Sequence, residues 1–111
     1  MKKTLIVNSE LMGSGSDELG RQLIGSFFRK LWAADNKPRR ILFYNSAVKL
    51  LAKGSPVLEA LNGLAEAGVD LIACGTCVTY FDLKENIIVG RVSDMTEIST
   101  AMLNDNHTVT L

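Results

Sequence analysis

The chain predicts an α/β fold in three layers, α/β/α, built on a mostly parallel sheet of about five strands. Two observations carry that expectation. Short apolar runs rich in β-formers alternate with longer stretches whose apolar residues recur at helical spacing. Strands separated by helices of this length imply right-handed crossovers, which make neighbouring strands parallel. The length, 111 residues with 47% apolar and 22% charged, is enough for one core and leaves no room for a second, so residues 1–111 are read as a single domain.

The elements follow in order. Thr4-Leu5-Ile6-Val7 is the first strand, and a turn-rich loop runs from Asn8 to Ser16. Leu19, Leu23, Ile24, Phe27, Leu31 and Trp32 then recur at helical spacing, with Arg21, Gln22, Arg29 and Lys30 on other faces. Ser14 or Ser16 can cap that helix, and acidic Asp17 and Glu18 suit its first turn. Ile41 to Tyr44 is the second strand, followed by a short helical turn from Ala47 to Leu51. Ser55 as N-cap and Pro56 as first residue start another helix, with Val57, Leu58, Leu61 and Leu64 facing inward and Gly68 ending it. Val69 to Ala73 is the third strand, and a helical segment is expected from about Val78 to Leu83. A short strand near Ile87-Ile88-Val89, a helix opened by Asp94-x-x-Glu97, and a last strand Thr108 to Leu111 complete the chain.

Charge excludes some functions. Twelve basic and twelve acidic residues cancel, so nothing points to nucleic acid or an anionic membrane surface, and a near-neutral surface suits subunit association. Met1-Lys2-Lys3 opens like a signal peptide, but the apolar run Leu5-Ile6-Val7 stops at Asn8, and nothing reaches transmembrane length. The chain is therefore read as cytoplasmic. In that reducing compartment a CxxC is a catalytic, redox or metal-binding motif before it is a structural staple.

The cysteines are Cys74 and Cys77, in Ala73-Cys74-Gly75-Thr76-Cys77-Val78 at the end of the third strand. Open α/β sheets bind ligands at the carboxyl ends of their strands, and a thiol at the following helix start gains thiolate character. Cys77, opening or capping that helix, is expected to be the better exposed and is the candidate nucleophile. Cys74 is a resolving thiol or a buried one. The bland alternative makes both of them inert core residues. With His107 far off, a four-ligand zinc site within the chain is not expected.

Two loops belong to the same edge. Asn8-Ser9-Glu10-Leu11-Met12-Gly13-Ser14-Gly15 follows the first strand; it lacks the third glycine of a dinucleotide fingerprint and the Gly-Lys-Ser/Thr of a phosphate loop. It is a turn needing positive φ, or a lip over the cysteines. Tyr44-Asn45-Ser46-Ala47-Val48-Lys49 follows the second strand, where Asn45, Ser46 and Lys49 offer hydrogen bonds and a positive charge to an anionic sulfur species. Tyr80 and Phe81 either wall a pocket or simply pack.

Taken together, these segments resemble the DsrE/DsrF-like family, and more narrowly the C-terminal DsrE-like domain of YedF-type proteins, described as sulfurtransferase-like and associated with selenium metabolism. The matching motifs are Asn8-Ser9-x-x-Met12-Gly13-x-Gly15-x-x-Glu18-Leu19-Gly20 and Phe43-Tyr44-Asn45-x-x-Val48-Lys49 with Gly54-Ser55-Pro56-Val57-Leu58. Cys74-Gly75-Thr76-Cys77 and Val89-Gly90-x-Val92-x-x-Met95 complete the set, over nearly the whole chain. The resemblance implies a Rossmann- or flavodoxin-like sheet, homo-oligomers (trimers or hexamers, with a dimer as the smaller alternative) and no cofactor. It implies that Cys77 accepts sulfur, or selenium, as a persulfide, with Cys74 belonging to the YedF-like pattern. Asn8, Ser9, Met12, Gly13, Gly15, Asn45, Lys49, Gly75 and Thr76 are then the candidate substrate-binding residues, and no metal is called for. Two departures stand out: the TusA-like sulfur-carrier domain usual in YedF-type proteins is missing, which implies a carrier in trans or an excised domain. Ala47 stands where many relatives have glycine. The alternatives to a sulfur carrier are a dithiol/disulfide redox module and a non-enzymatic domain for small-anion binding or assembly.

Overall fold

The structure, a computed structural model, describes residues 3–111. Its sheet has five strands in the order β4-β3-β2-β1-β5, with every neighbouring pair parallel. They are β1 (Thr4–Val7), β2 (Arg40–Phe43), β3 (Asp70–Cys74), β4 (Arg91–Ser93) and β5 (Thr108–Thr110). The helices are α1 (Asp17–Ala33), α2 (Leu58–Glu66), α3 (Gly75–Tyr80) and α4 (Met95–Asn104), with a 3-10 turn over Asn45–Leu51. The expected three-layer α/β/α arrangement is what forms.

Strand alternation divides the core between the two faces. Leu5, Val7, Ile41, Phe43, Leu71 and Ala73 point to one side, where they meet Ile24 and Phe28 of α1, Leu61 and Leu64 of α2 and Val78 of α3. Ile6, Leu42, Ile72 and Cys74 point to the other, where Ile98 and Ala101 of α4 cover them. The winding explains the split. The chain steps in one direction from β1 to β4, then returns past β1 to β5, and a right-handed crossover in the reverse direction puts α4 on the opposite face.

Local chemistry sets the boundaries. The Leu19 N–H donates to Ser16 Oγ at 3.1 Å, so Ser16 rather than Ser14 is the cap of α1. The buried side of α1 is Gly20, Ile24, Gly25 and Phe28, whereas Leu19 and Leu23 are 52% and 44% exposed. Glycine is the reason: a Cβ on Gly20 would stand 3.0 Å from Leu11 Cβ, so the helix turns its smallest residues inward. α2 begins at Leu58, later than Ser55 and Pro56, because Ser55 Oγ is used within a turn by the Val57 N–H at 3.2 Å.

α3 starts at Gly75 and not near Val78, and Asp82 at φ 55 follows its end. The strand placed at Ile87–Val89 lies instead at Arg91–Ser93. Ile87 makes only an isolated antiparallel bridge to Ala52, and the Ile88 N–H is taken by the Leu51 carbonyl at 2.8 Å. Gly90, at φ 82, then turns the chain into β4. Asp94 caps α4 by accepting the Glu97 N–H at 3.0 Å, as its spacing predicts. No helix among the described residues is long and apolar enough to cross a membrane.

Candidate functional site

The carboxyl ends of β2 and β3 bring the cysteines and the second loop together. Cys74 is the last residue of β3 and occupies the cap position of α3. It is fully buried among Ile72, Ile98 and their neighbours. Cys77 sits in the first turn of α3, partly exposed, and packs against the apolar clusters on both faces of the sheet. Both thiols are free and lie 3.6 Å apart. The better-exposed sulfur is thus Cys77, as its place in the sequence implies.

One donor reaches that sulfur. The backbone N–H of Asn45 donates to Cys77 Sγ at 3.0 Å. Asn45 has φ 54, a left-handed conformation that asparagine adopts more readily than most residues. The contact joins the end of β2 to the first turn of α3. Gly75 has a packing role at the same junction, because a Cβ there would lie 2.8 Å from the Ser93 carbonyl oxygen of β4.

Burial pushes the Cys77 thiol above its ordinary pKa; the Asn45 N–H pulls it down, and Cys74 pushes it up again by hydrogen bonding and charge. The thiolate expected from a helix start is therefore opposed by desolvation, and α3 is only six residues long. A cleft of about 360 Å³ opens over the sulfur, lined by Asn45, Thr76, Cys77, Tyr80 and Phe81. Tyr80 is 82% exposed and meets Phe81 edge to face, with ring centroids 5.1 Å apart. Both rings wall the cleft, and the pocket reading of these aromatics is the one the geometry supports.

Lys49 stands behind this wall. Its Nζ lies 4.5 Å from the centre of the Phe81 ring and 3.4 Å from Glu10 Oε2. The Glu10 N–H in turn donates to Ser46 Oγ at 3.1 Å. Lys49 is thus tied to Glu10 and Phe81 and is not among the residues lining the cleft.

The first loop stands further back. Asn8 is exposed, Ser9 Oγ accepts the Leu11 N–H at 3.0 Å, and Met12 packs against the core beside α1. Gly13 and Gly15 take φ 82 and 129 in open surroundings. None of these five lines the cleft, so the loop is a turn tied to the site through Glu10 and not a lip over the sulfur. Glu10 and the main-chain N–H of Asn45 are groups around the cysteines that sequence reasoning did not single out. The detectable signal for the second was an asparagine directly after a strand. Ala47, in place of glycine, is fully buried and needs no positive φ.

Two larger grooves lie away from the cysteines. One of about 820 Å³ is lined by Lys3, Leu31, Lys37 and Val109 among others, and one of about 620 Å³ runs beside α4. Neither contains a thiol. Among the described residues no group of three or more His, Cys, Asp or Glu side chains is placed to hold a metal ion.

Residues 1–111 match the DsrE/DsrF-like family. The chain belongs to that family. Among solved structures it is similar to the ychN protein of E. coli, at 20% identity over 100% of both chains with a TM-score of 0.67. It is also similar to MTH1491 of Methanobacterium thermoautotrophicum, at 16% identity over 99% of this chain and 98% of that one, TM-score 0.71. BT1422 of Bacteroides thetaiotaomicron matches at 15% identity over 99% and 95%, TM-score 0.67. At these identities the likeness establishes the DsrE-like fold. Among curated proteins no relative matches.

Proposed function

We propose that this DsrE-like protein is a sulfur (or selenium) carrier that accepts a sulfur atom on Cys77 and hands it to an acceptor thiol. One observation carries the reading: Cys77 is a partly exposed sulfur at the floor of a cleft, with a backbone N–H on it and a second, buried thiol beside it. The step balances without an external oxidant. The Cys77 thiolate attacks the outer sulfur of a persulfide R–S–SH, the S–S bond of the donor breaks, and R–S⁻ leaves. The reverse attack by an acceptor thiolate on Cys77–S–SH discharges the protein. Cys74 can instead attack Cys77 Sγ, closing a disulfide and releasing hydrosulfide.

Membership in the YedF-like branch belongs to the same proposal, because the Cys74 position and the Val89-Gly90-x-Val92-x-x-Met95 segment fit that pattern. A TusA-like sulfur-carrier protein or domain is the proposed partner, in the cytoplasm. Self-association into trimers or hexamers is proposed as well; Tyr80, Ile88, Val92, Met95 and Leu103 leave large apolar side chains exposed for it.

A second reading has its own support. Two thiols 3.6 Å apart suit a dithiol/disulfide redox module. A chase experiment separates the two. The protein is incubated with a ³⁵S-labelled persulfide, desalted, and then offered an excess of acceptor thiol. Label that binds and is released to the acceptor supports the carrier. The deciding arm is Cys74→Ser, in which no disulfide can close and expel the sulfur: if it holds no label while wild type loses two hydrogens, the protein is a redox module and the carrier reading fails.

A further inference from the structure

We propose that Asn45 is a positioning residue that sets the balance between open Cys77 and a Cys74–Cys77 disulfide, through its backbone N–H and not its side chain. The proposal rests on Cys77 as the reacting thiol. Among the described residues only Asn45 and Asp82 are non-glycine residues at positive φ, and Asn45 is the one whose N–H meets a sulfur. Such a conformation costs an ordinary L-residue free energy and persists where the surroundings use it.

The use here is electrostatic. An N–H bond to sulfur is strongest when the sulfur is negative, because charge-assisted hydrogen bonds outweigh neutral ones. A disulfide sulfur is neutral and a poorer acceptor. The contact therefore stabilises the open thiolate form of Cys77 and withdraws that stabilisation when Cys74 and Cys77 are joined. Geometry adds to this, since closing from 3.6 Å to a disulfide bond of about 2.05 Å moves the sulfurs by roughly 1.5 Å. In the open form Cys77 stays at the floor of the cleft, available to sulfur from outside.

The test uses the whole chain with small-molecule thiol and disulfide. Oxidised glutathione takes two electrons from the two cysteines: the protein disulfide forms, and two glutathione thiols are released. Wild type, Asn45→Gly, Asn45→Ala and Asn45→Val are equilibrated at alkaline pH, where the open form of Cys77 is ionised, across ratios of reduced to oxidised glutathione, then quenched, alkylated and weighed. Glycine holds positive φ freely and keeps the N–H in place, so its midpoint stays within about twofold of wild type. Alanine and valine turn the peptide away, and their midpoints shift toward the disulfide by about threefold to tenfold, the equivalent of one hydrogen bond.

A second measurement is made in a Cys74→Ser background, where no disulfide can close. The pH profile of Cys77 alkylation moves upward in Asn45→Ala and Asn45→Val and returns with Asn45→Gly. Loss of fold would not give that ordering, and native circular dichroism is checked for each variant. Equal midpoints and equal pH profiles across all four proteins would overturn the proposal. Neither readout involves transferable sulfur, so a protein that obeys both yet never gains sulfur removes the carrier reading and leaves the role of Asn45 intact.

Discussion

At Cys77 two influences oppose each other: burial and the neighbouring Cys74 favour the neutral thiol, while the Asn45 N–H favours the thiolate. Burial is the largest of them, so the thiol is protonated near neutral pH and gains reactivity as pH rises beyond the ordinary thiol range. Iodoacetamide kinetics across pH check this. The rate at Cys77 is expected to be still climbing where a free cysteine has reached its plateau, and Cys74→Ser is expected to move the profile downward. A wild-type profile lying below that of a free thiol would contradict the account. How much of this was legible differs by atom. Cysteine spacing identified the two neighbouring thiols and the more exposed of them, because the end of an apolar strand dictates which residue is buried. The hydrogen-bond donor was not legible as a donor, since a main-chain N–H leaves no mark in residue identity. Only the tolerance of asparagine for positive φ hinted at it.

Between elements, close backbone approaches decide what fits. β4 lies against β3 through Gly90 and against α3 through Gly75, whose added Cβ atoms would each lie 2.8 Å from a carbonyl oxygen, of Leu71 and Ser93 respectively. Gly90 also has φ 82, so Gly90→Ala meets both a contact and a conformational penalty. The second alone is about 1–2 kcal/mol. Urea unfolding is expected to show a loss of at least that size, and an unchanged midpoint would contradict the packing described here. These approaches explain why the fourth strand was misplaced by sequence. The run Ile87-Ile88-Val89 has the stronger β-propensity, yet the Ile88 and Val89 N–H groups are claimed by the Leu51 carbonyl, and the short exposed Arg91–Ser93 takes the sheet edge. The inner face of α1 was blurred for a related reason: apolar periodicity counts leucines, and two of its inward positions are glycines.

Across the whole molecule the two faces of the sheet are held differently. One face carries α1, α2 and α3 over a large apolar cluster, while α4 covers the other with Ile98 and Ala101 and a set of ion pairs. Arg91 bridges Asp70 at 2.9 Å and Glu97 at 2.8 Å, Ser93 donates to Glu97, and Asp105 at the end of α4 pairs with Arg40 and accepts from Thr4. The Arg91 guanidinium, then Ser93, hold the Glu97 carboxyl down at about 2. A carboxyl whose folded pKa is depressed stabilises the fold above its unfolded pKa, about 4.3, and loses that contribution as pH falls through the folded value. The difference in urea midpoint between wild type and Glu97→Gln is therefore expected to be constant near neutral pH, to shrink below about pH 4.5 and to vanish near pH 2. A difference that does not change between pH 6 and pH 2 would contradict this. Alternating strands and helices made the layered class legible in the sequence. The strand order and the unequal faces were not, because they depend on which way the chain winds after β4.

The central claim is that Cys77 itself carries the sulfur, and intact-mass spectrometry under non-reducing conditions tests it most directly. Wild type, Cys74→Ser and Cys77→Ser are weighed after incubation with a persulfide donor and again after a reductant. A reducible gain of one sulfur atom, about 32 Da, on wild type and Cys74→Ser but not on Cys77→Ser is the predicted result. The same gain on Cys77→Ser, or no gain on any of the three, would contradict it.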